Sequence, residues 1–302
     1  MRATGYALRM RHPIDPKIDC VFKALLGAEA NRDLLLHFLN AMLGDELRAP
    51  VVDVVILNPY NEREFLDDKL SVVDVKARDA TGCLYQIEIQ LLNLPELPAR
   101  ILYGWADLYS AQLASGEDYL ELKPTYAIWL LGETLLPEAP GYAHRYRFCD
   151  AEGRALIEHG GIALFELPKF ASAQVETRVE TEAERWLKFF VEGEHLDPDN
   201  PPAWMNTPEM KQAMSTVRDF SEKERAYHAY QARQNYLRQQ KTIQRHIDAL
   251  TAETERARAE TERERAEMEQ ERAEKERERA EKEAALAEIE RLKAQLDDRS
   301  AH

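Results

Sequence analysis

Apolar and polar positions along this chain follow three different periods, and each predicts a different kind of element. Over residues 15–43 apolar residues recur every three to four positions. Ile18, Val21, Phe22, Leu25 and Leu26 make one stripe, and Leu34, Leu35, Phe38, Leu39 and Met42 make a second. Two core-facing helices are expected, with Gly27 and Gly44 placed to stop them. The period then falls to two. VVDVVILN (51–58) is short and β-branched, KLSVVDVKAR (69–78) alternates in part, and CLYQIEIQLL (83–92) alternates clearly, which predicts strands. DATG between the last two runs, with Gly82 available for a left-handed position, predicts a hairpin turn.

Helical spacing returns over 99–115 through Ile101, Leu102, Trp105, Leu108, Tyr109 and Leu113, after breaks at Pro95 and Pro98. TYAIWLLG (125–132) reads as a buried strand, and weaker strands are expected at 142–149 and 162–167. A helix near 180–191 is followed by a Pro-rich loop at 197–208. The order helix, strands, helix, strand predicts an α/β fold around a single mixed sheet.

The third period is seven. Residues 258–285 read as four consecutive heptads, and Ala252, Ala259, Ala266, Ala273, Ala280 and Ala287 fall seven apart. Such a repeat suits a coiled coil, although one Ala per heptad buries little. Ala285, Ile289, Leu292 and Leu296 give a fuller seam near the end. A solvated single helix, held by pairs such as Glu271–Lys275 and Glu278–Lys282, is the alternative. A coiled coil would make the chain a homo-oligomer through this C-terminal helix. The expected organisation is a core over 12–170, a helical extension over 171–235 and a long charged helix over 236–302.

Charge sharpens the division. The 302 residues hold 40 Lys+Arg and 55 Asp+Glu, a net charge of −15. Residues 251–300 contribute 17 acidic and 12 basic side chains, a mixed-sign helix surface. Residues 1–135 remain acidic, with 20 acidic against 13 basic. This balance argues against tight binding of a polyanion and allows only local, salt-sensitive engagement. The N-terminal stretch has no signal-peptide core, and no run approaches 18 apolar residues, so no membrane span is expected. Three widely spaced cysteines and scattered histidines suggest neither a disulfide framework nor a zinc site. A reducing, cytoplasmic setting is the expectation.

The hairpin carries the candidate chemistry. A three-residue loop, Ala80-Thr81-Gly82, would pair Asp79 with Cys83, setting Asp74 opposite Glu88 and Lys76 opposite Gln86. Opposed carboxylates repel unless something compensates them. A divalent cation such as Mg²⁺, bound by both and completed by waters and phosphate oxygens, would do so. The solvated face of an ordinary hairpin gives the same pattern.

The order DPKIDCVFKALLG (15–27), KLSVVDVKARD, LYQIEIQ, then Arg100, Tyr103 and LYSAQLASGEDYLELKPTYAIWLL (108–131) resembles the PD-(D/E)XK nuclease superfamily. More narrowly, it is similar to the Rpn family of recombination-promoting nucleases, also described as transposases, over roughly residues 12–235. The resemblance implies a restriction-endonuclease-like mixed sheet flanked by helices. It also implies metal-dependent DNA endonuclease activity with Mg²⁺ or Mn²⁺, linked to recombination or mobile elements. Asp74 and Glu88 fall where that family binds metal. The name-giving Lys is Gln90 here, a residue that can orient water or hold a phosphate oxygen but carries no charge. Lys76, on the face of Asp74, or Lys23 from the first helix could supply the cation. Asp19 matches an acidic helix residue that can complete the metal site, and Arg100 and Gln112 match positions on the helix after the hairpin. The rival reading is a catalytically inactive nuclease-fold interaction protein that assembles through its C-terminal helix.

Overall fold

The computed structural model describes residues 12–58, 74–173 and 179–300, with side chains apart from those of residues 74, 224, 225 and 290–300. The strand run expected from residue 69 therefore lies outside the described residues up to 73. The chain divides into two compact units, residues 1–237 and 238–302.

Two helices open the described part of the first unit, α1 (Asp19–Leu26) and α2 (Arg32–Leu43). Gly27 and Gly44 stand at their C-terminal caps. The stripes read from the sequence are the buried faces: Val21, Phe22, Leu25 and Leu26 on α1, and Leu34, Leu35, Phe38, Leu39 and Met42 on α2. Six strands follow: β1 (Val54–Ile56), β2 (Asp74–Asp79), β3 (Leu84–Gln90), β4 (Thr125–Leu131), β5 (Ala143–Tyr146) and β6 (Gly160–Glu166). They form one sheet in the order β1-β2-β3-β4-β6-β5. β1, β2 and β3 pair antiparallel, β3, β4 and β6 pair parallel, and β5 is antiparallel to β6.

Helix α3 (Leu97–Ser110) crosses between the parallel strands β3 and β4, as such a connection requires. It buries Leu97, Ile101 and Trp105 against Ala127, Trp129, Leu131 and Leu164 on one face of the sheet. The other face, with Tyr85, Ile87, Ile128 and Phe165, packs against α1 and α2. The same larger core takes in α4 (Leu167–Ser172), α5 (Glu182–Glu192), α6 (Pro208–Glu222) and the start of α7 (Glu224–Ser300). α5 contributes Trp186, Leu187, Phe189 and Phe190, all fully buried. Trp186, Met210, Val217 and Tyr230, from the stretch expected as a helical extension, thus lie in the larger core of the first unit.

The hairpin turn explains the register of β2 and β3. Asp79 N–H donates to the Cys83 carbonyl at 3.0 Å, and Gly82 takes the left-handed backbone (φ 88°) that a three-residue loop requires. The Asp79 carboxylate gathers the loop. Its Oδ1 accepts from Thr81 N, Thr81 Oγ1 and Cys83 N at 2.7–3.0 Å, and its Oδ2 accepts from Tyr85 Oη at 2.7 Å.

A second buried carboxylate organises the far end of the sheet. Glu166 is fully buried at the end of β6. It accepts from the N–H groups of Leu135 and Leu136, faces His144 Nε2 at 2.9 Å and pairs with Lys169 at 2.5 Å. Burial pushes its pKa up, but the Lys169 hydrogen bond and the other donors outweigh that and hold it at about 2.

The second unit is helix α7 from residue 238 onward. Its described side chains are almost all exposed, and Lys275 pairs with Glu271 at 2.6 Å. No helix among the described residues is long and apolar enough to cross a membrane.

Candidate active site

The β2–β3 register is the one that the loop length predicts: Asp74 opposes Glu88 and Lys76 opposes Gln86. Alternation on β3 then separates two faces. Tyr85, Ile87 and Ile89 enter the larger core, whereas Gln86, Glu88 and Gln90 share the face covered by α3. Parallel pairing brings β4 alongside, with Trp129 next to Glu88 and Ala127 next to Gln86.

Glu88 is only 3% exposed. A carboxylate buried so deeply needs a compensating charge, and Arg100 on α3 provides it through a short ion pair from Nη2 to Oε1. The same guanidinium donates from Nη1 to Gln90 Oε1 at 3.3 Å and lies 5.8 Å from the centre of the Trp129 ring. Gln90 Nε2 donates to the Leu92 carbonyl at 2.7 Å, so its amide is held at both ends. Gln86 Nε2 reaches Glu88 Oε2 at 3.4 Å. One turn beyond Arg100, Gly104 lets α3 approach: a Cβ there would stand 3.3 Å from Gln86 Nε2 and 3.4 Å from Gln86 Oε1.

Two buried polar atoms on this face, Gln86 Oε1 and Trp129 Nε1, have no hydrogen-bond partner among the described residues. Unsatisfied groups of this kind are rare in a folded interior. The Glu88 carboxylate and the Gln86 amide oxygen are hard oxygen donors of the kind a divalent cation such as Mg²⁺ or Mn²⁺ takes, and the strand register sets residue 74, an aspartate, opposite Glu88. Among the described side chains, no group of three or more His, Cys, Asp or Glu is assembled for a metal.

Of the residues singled out from the sequence, the structure gathers Glu88, Gln90 and Arg100 by side-chain contact, and Asp74 and Lys76 by strand register. Lys76 is anchored through its backbone, with its N–H on Asn58 Oδ1 at 2.6 Å and its carbonyl on Leu57 N at 2.7 Å. Asp19 and Lys23 sit on α1, which packs against the opposite face, where Gly27 approaches Val75. The Asp19 carboxylate pairs with Arg233 of α7 at 3.3 Å and accepts from Cys20 N at 2.7 Å. Burial raises its pKa, against the opposing pull of Arg233 and the Cys20 N–H. Gln112 joins a different structure: its Nε2 donates to the Lys123 carbonyl and to Thr125 Oγ1, each at 3.0 Å, and its Oε1 accepts from Lys123 N at 2.9 Å. It splints the chain leading into β4.

Gln86, Gly104 and Trp129 were not among the sequence candidates. Gln86 follows from alternation with Glu88. Trp129 and Gly104 follow only from the parallel β3–β4 register and from where α3 lies, which the local pattern does not encode.

Comparison with the curated proteins and with the solved structures gives no significant match. A family model described as PD-(D/E)XK nuclease family transposase matches residues 16–246, a span that contains the whole sheet, the buried Glu88 and its opposition to Asp74. With more than half its length in that match, the chain belongs to the PD-(D/E)XK nuclease transposase family.

Proposed function

We propose that this protein is a metal-dependent DNA endonuclease that hydrolyses phosphodiester bonds in recombination or mobile-element contexts. The observation that carries the reading is Glu88: a buried carboxylate opposite Asp74, on a sheet face with an orphaned amide oxygen. The superfamily generally uses divalent metal ions, and the donor set suits one. Asp74 and Glu88 would hold it, with Gln86 Oε1 as a further oxygen donor. When bound, such an ion supplies a water nucleophile and stabilises charge on the phosphoryl oxygens.

The chain's own groups then divide the remaining work. Gln90, held between Arg100 and the Leu92 carbonyl, orients water or a non-bridging phosphate oxygen by hydrogen bonds. Lys76, on the strand that carries Asp74, would offset the charge of the pentavalent state, whereas Lys23, on α1 at the opposite face of the sheet, is set aside. Arg100 neutralises Glu88 while its side chain stays 40% exposed, so part of the guanidinium is open to solvent and would be available to an approaching phosphate. The substrate is DNA, engaged transiently, because the core is acidic.

The test is cleavage of supercoiled plasmid with Mg²⁺ by the wild-type chain and by Asp74→Ala. Wild type should convert the plasmid and the variant should not; equal cleavage by both removes the site. A second reading, a non-catalytic nuclease-fold scaffold, draws support from the Arg100–Glu88 ion pair, which already neutralises the carboxylate. Calorimetry showing no Mg²⁺ or Mn²⁺ uptake would favour it.

A further inference from the structure

The second unit exposes a row of large apolar side chains. Ile243, Ile247, Leu250, Met268, Leu286 and Ile289 are each about half exposed on α7. All but Leu286 fall in one frame of alternating four- and three-residue steps, the a/d seam of a coiled coil, and Leu292 and Leu296 continue it in the sequence. In this frame the heptad alanines, Ala252 to Ala287, occupy the f position, directly away from the seam. The conspicuous repeat is therefore the outer surface of the helix. The sparse large residues mark its contact face.

The seam is apolar at both ends and charged in between. Glu264, Glu271 and Glu278 occupy d positions, and Lys275 and Lys282 occupy a positions. That arrangement selects an orientation. In a symmetric parallel pair each seam residue faces its own copy, which gives three Glu–Glu and two Lys–Lys layers. Like charges in direct opposition are destabilising. In an antiparallel pair each a position meets a d position of the other helix, and no layer sets like charges together. The apolar ends then match as well. Ile243 meets Leu296 of the second copy, Ile247 meets Leu292, Leu250 meets Ile289, and in the middle Glu264 meets Lys275. A slip by one heptad leaves Ile243 with no counterpart and sets Leu292 against Thr254.

We propose that residues 243–296 of α7 are the docking surface for a second copy of this chain, paired antiparallel in that register. The proposal stands apart from the nuclease reading, since no residue of the candidate active site enters it. It is tested on the full chain in a Cys149→Ser background, which removes the exposed cysteine and keeps the buried Cys20 and Cys83. Differently tagged Leu250→Cys and Ile289→Cys chains are co-expressed and mildly oxidised, with each variant also oxidised alone. The expected result is a disulfide-linked species carrying both tags, little linkage of either variant alone, and twice the chain mass by light scattering before oxidation. Linkage of Leu250→Cys to itself overturns the orientation. Absence of the mixed species overturns the register, and a monomer mass overturns the docking surface.

Discussion

A carboxylate that is 3% exposed is neutralised by whatever cation lies within reach, and for Glu88 that is the Arg100 guanidinium. The two cations of the proposed site, Arg100 and a divalent ion, therefore share one carboxylate. Arg100→Gln should lower stability by about 1–2 kcal/mol, the value for a buried pair discounted for the exposed half of Arg100. It should also enlarge the thermal shift produced by Mn²⁺, because the bound ion then supplies the missing positive charge. A thermal shift no larger than that of wild type would show that guanidinium and ion do not compete. Glu88→Gln keeps the shape and removes the charge; calorimetry should show Mn²⁺ affinity down by about tenfold or more. The opposition of Asp74 and Glu88 was legible in the sequence because a loop length and a period of two determine it. The Arg100 partnership was not, because it depends on how α3 lies across the sheet, and that depends on Gly104 and on the parallel strands beneath.

Elements were legible where a single apolar stripe, an alternation or a continuous apolar run marks them. α1, α2, the hairpin and β4 match their patterns because each buries a stripe or a whole strand. The placing of α5 and α6 in the sheet's own core was hidden, since an amphipathic helix does not record which surface it covers. Gln112 shows the same limit at one position: its family position suggested the site, yet its amide closes on Lys123 and Thr125. Gln112→Ala should cost about 1–2 kcal/mol in denaturant unfolding, from three lost hydrogen bonds partly replaced by water. Metal affinity should not change, and a weakened Mn²⁺ isotherm would return Gln112 to the site. The far end of the sheet answers to acid instead. The pKa of Glu166 is depressed from 4.5 to about 2, so its stabilisation is complete above pH 4.5 and is lost as pH falls from about 4.5 to 2. The full effect is about 3 kcal/mol. Glu166→Gln should remove that part of the acid-dependent loss, read as a flatter melting temperature against pH over the same range.

At the scale of the whole molecule, one acidic compact unit carries the proposed chemistry and a second, helical unit carries the proposed pairing surface. Deleting residues 250–302 should lower the mass in light scattering while leaving plasmid nicking per chain unchanged; an unchanged mass would place any assembly in the first unit. In the antiparallel pair the two copies of Ile243 stand about 80 Å apart along the helices, at ~1.5 Å per residue. The turn at Asp79 has a consequence for how this chain can change over generations. Its carboxylate holds a loop of three residues, and the strand beyond it presents Glu88 or its neighbours according to whether the count is odd or even. One codon gained or lost between Ala80 and Gly82 would turn Glu88 into the apolar core and Ile87 out of it. A gain or loss of two would spare the facing. In this hairpin the length of the loop decides where the acid faces, as the residue type decides its charge.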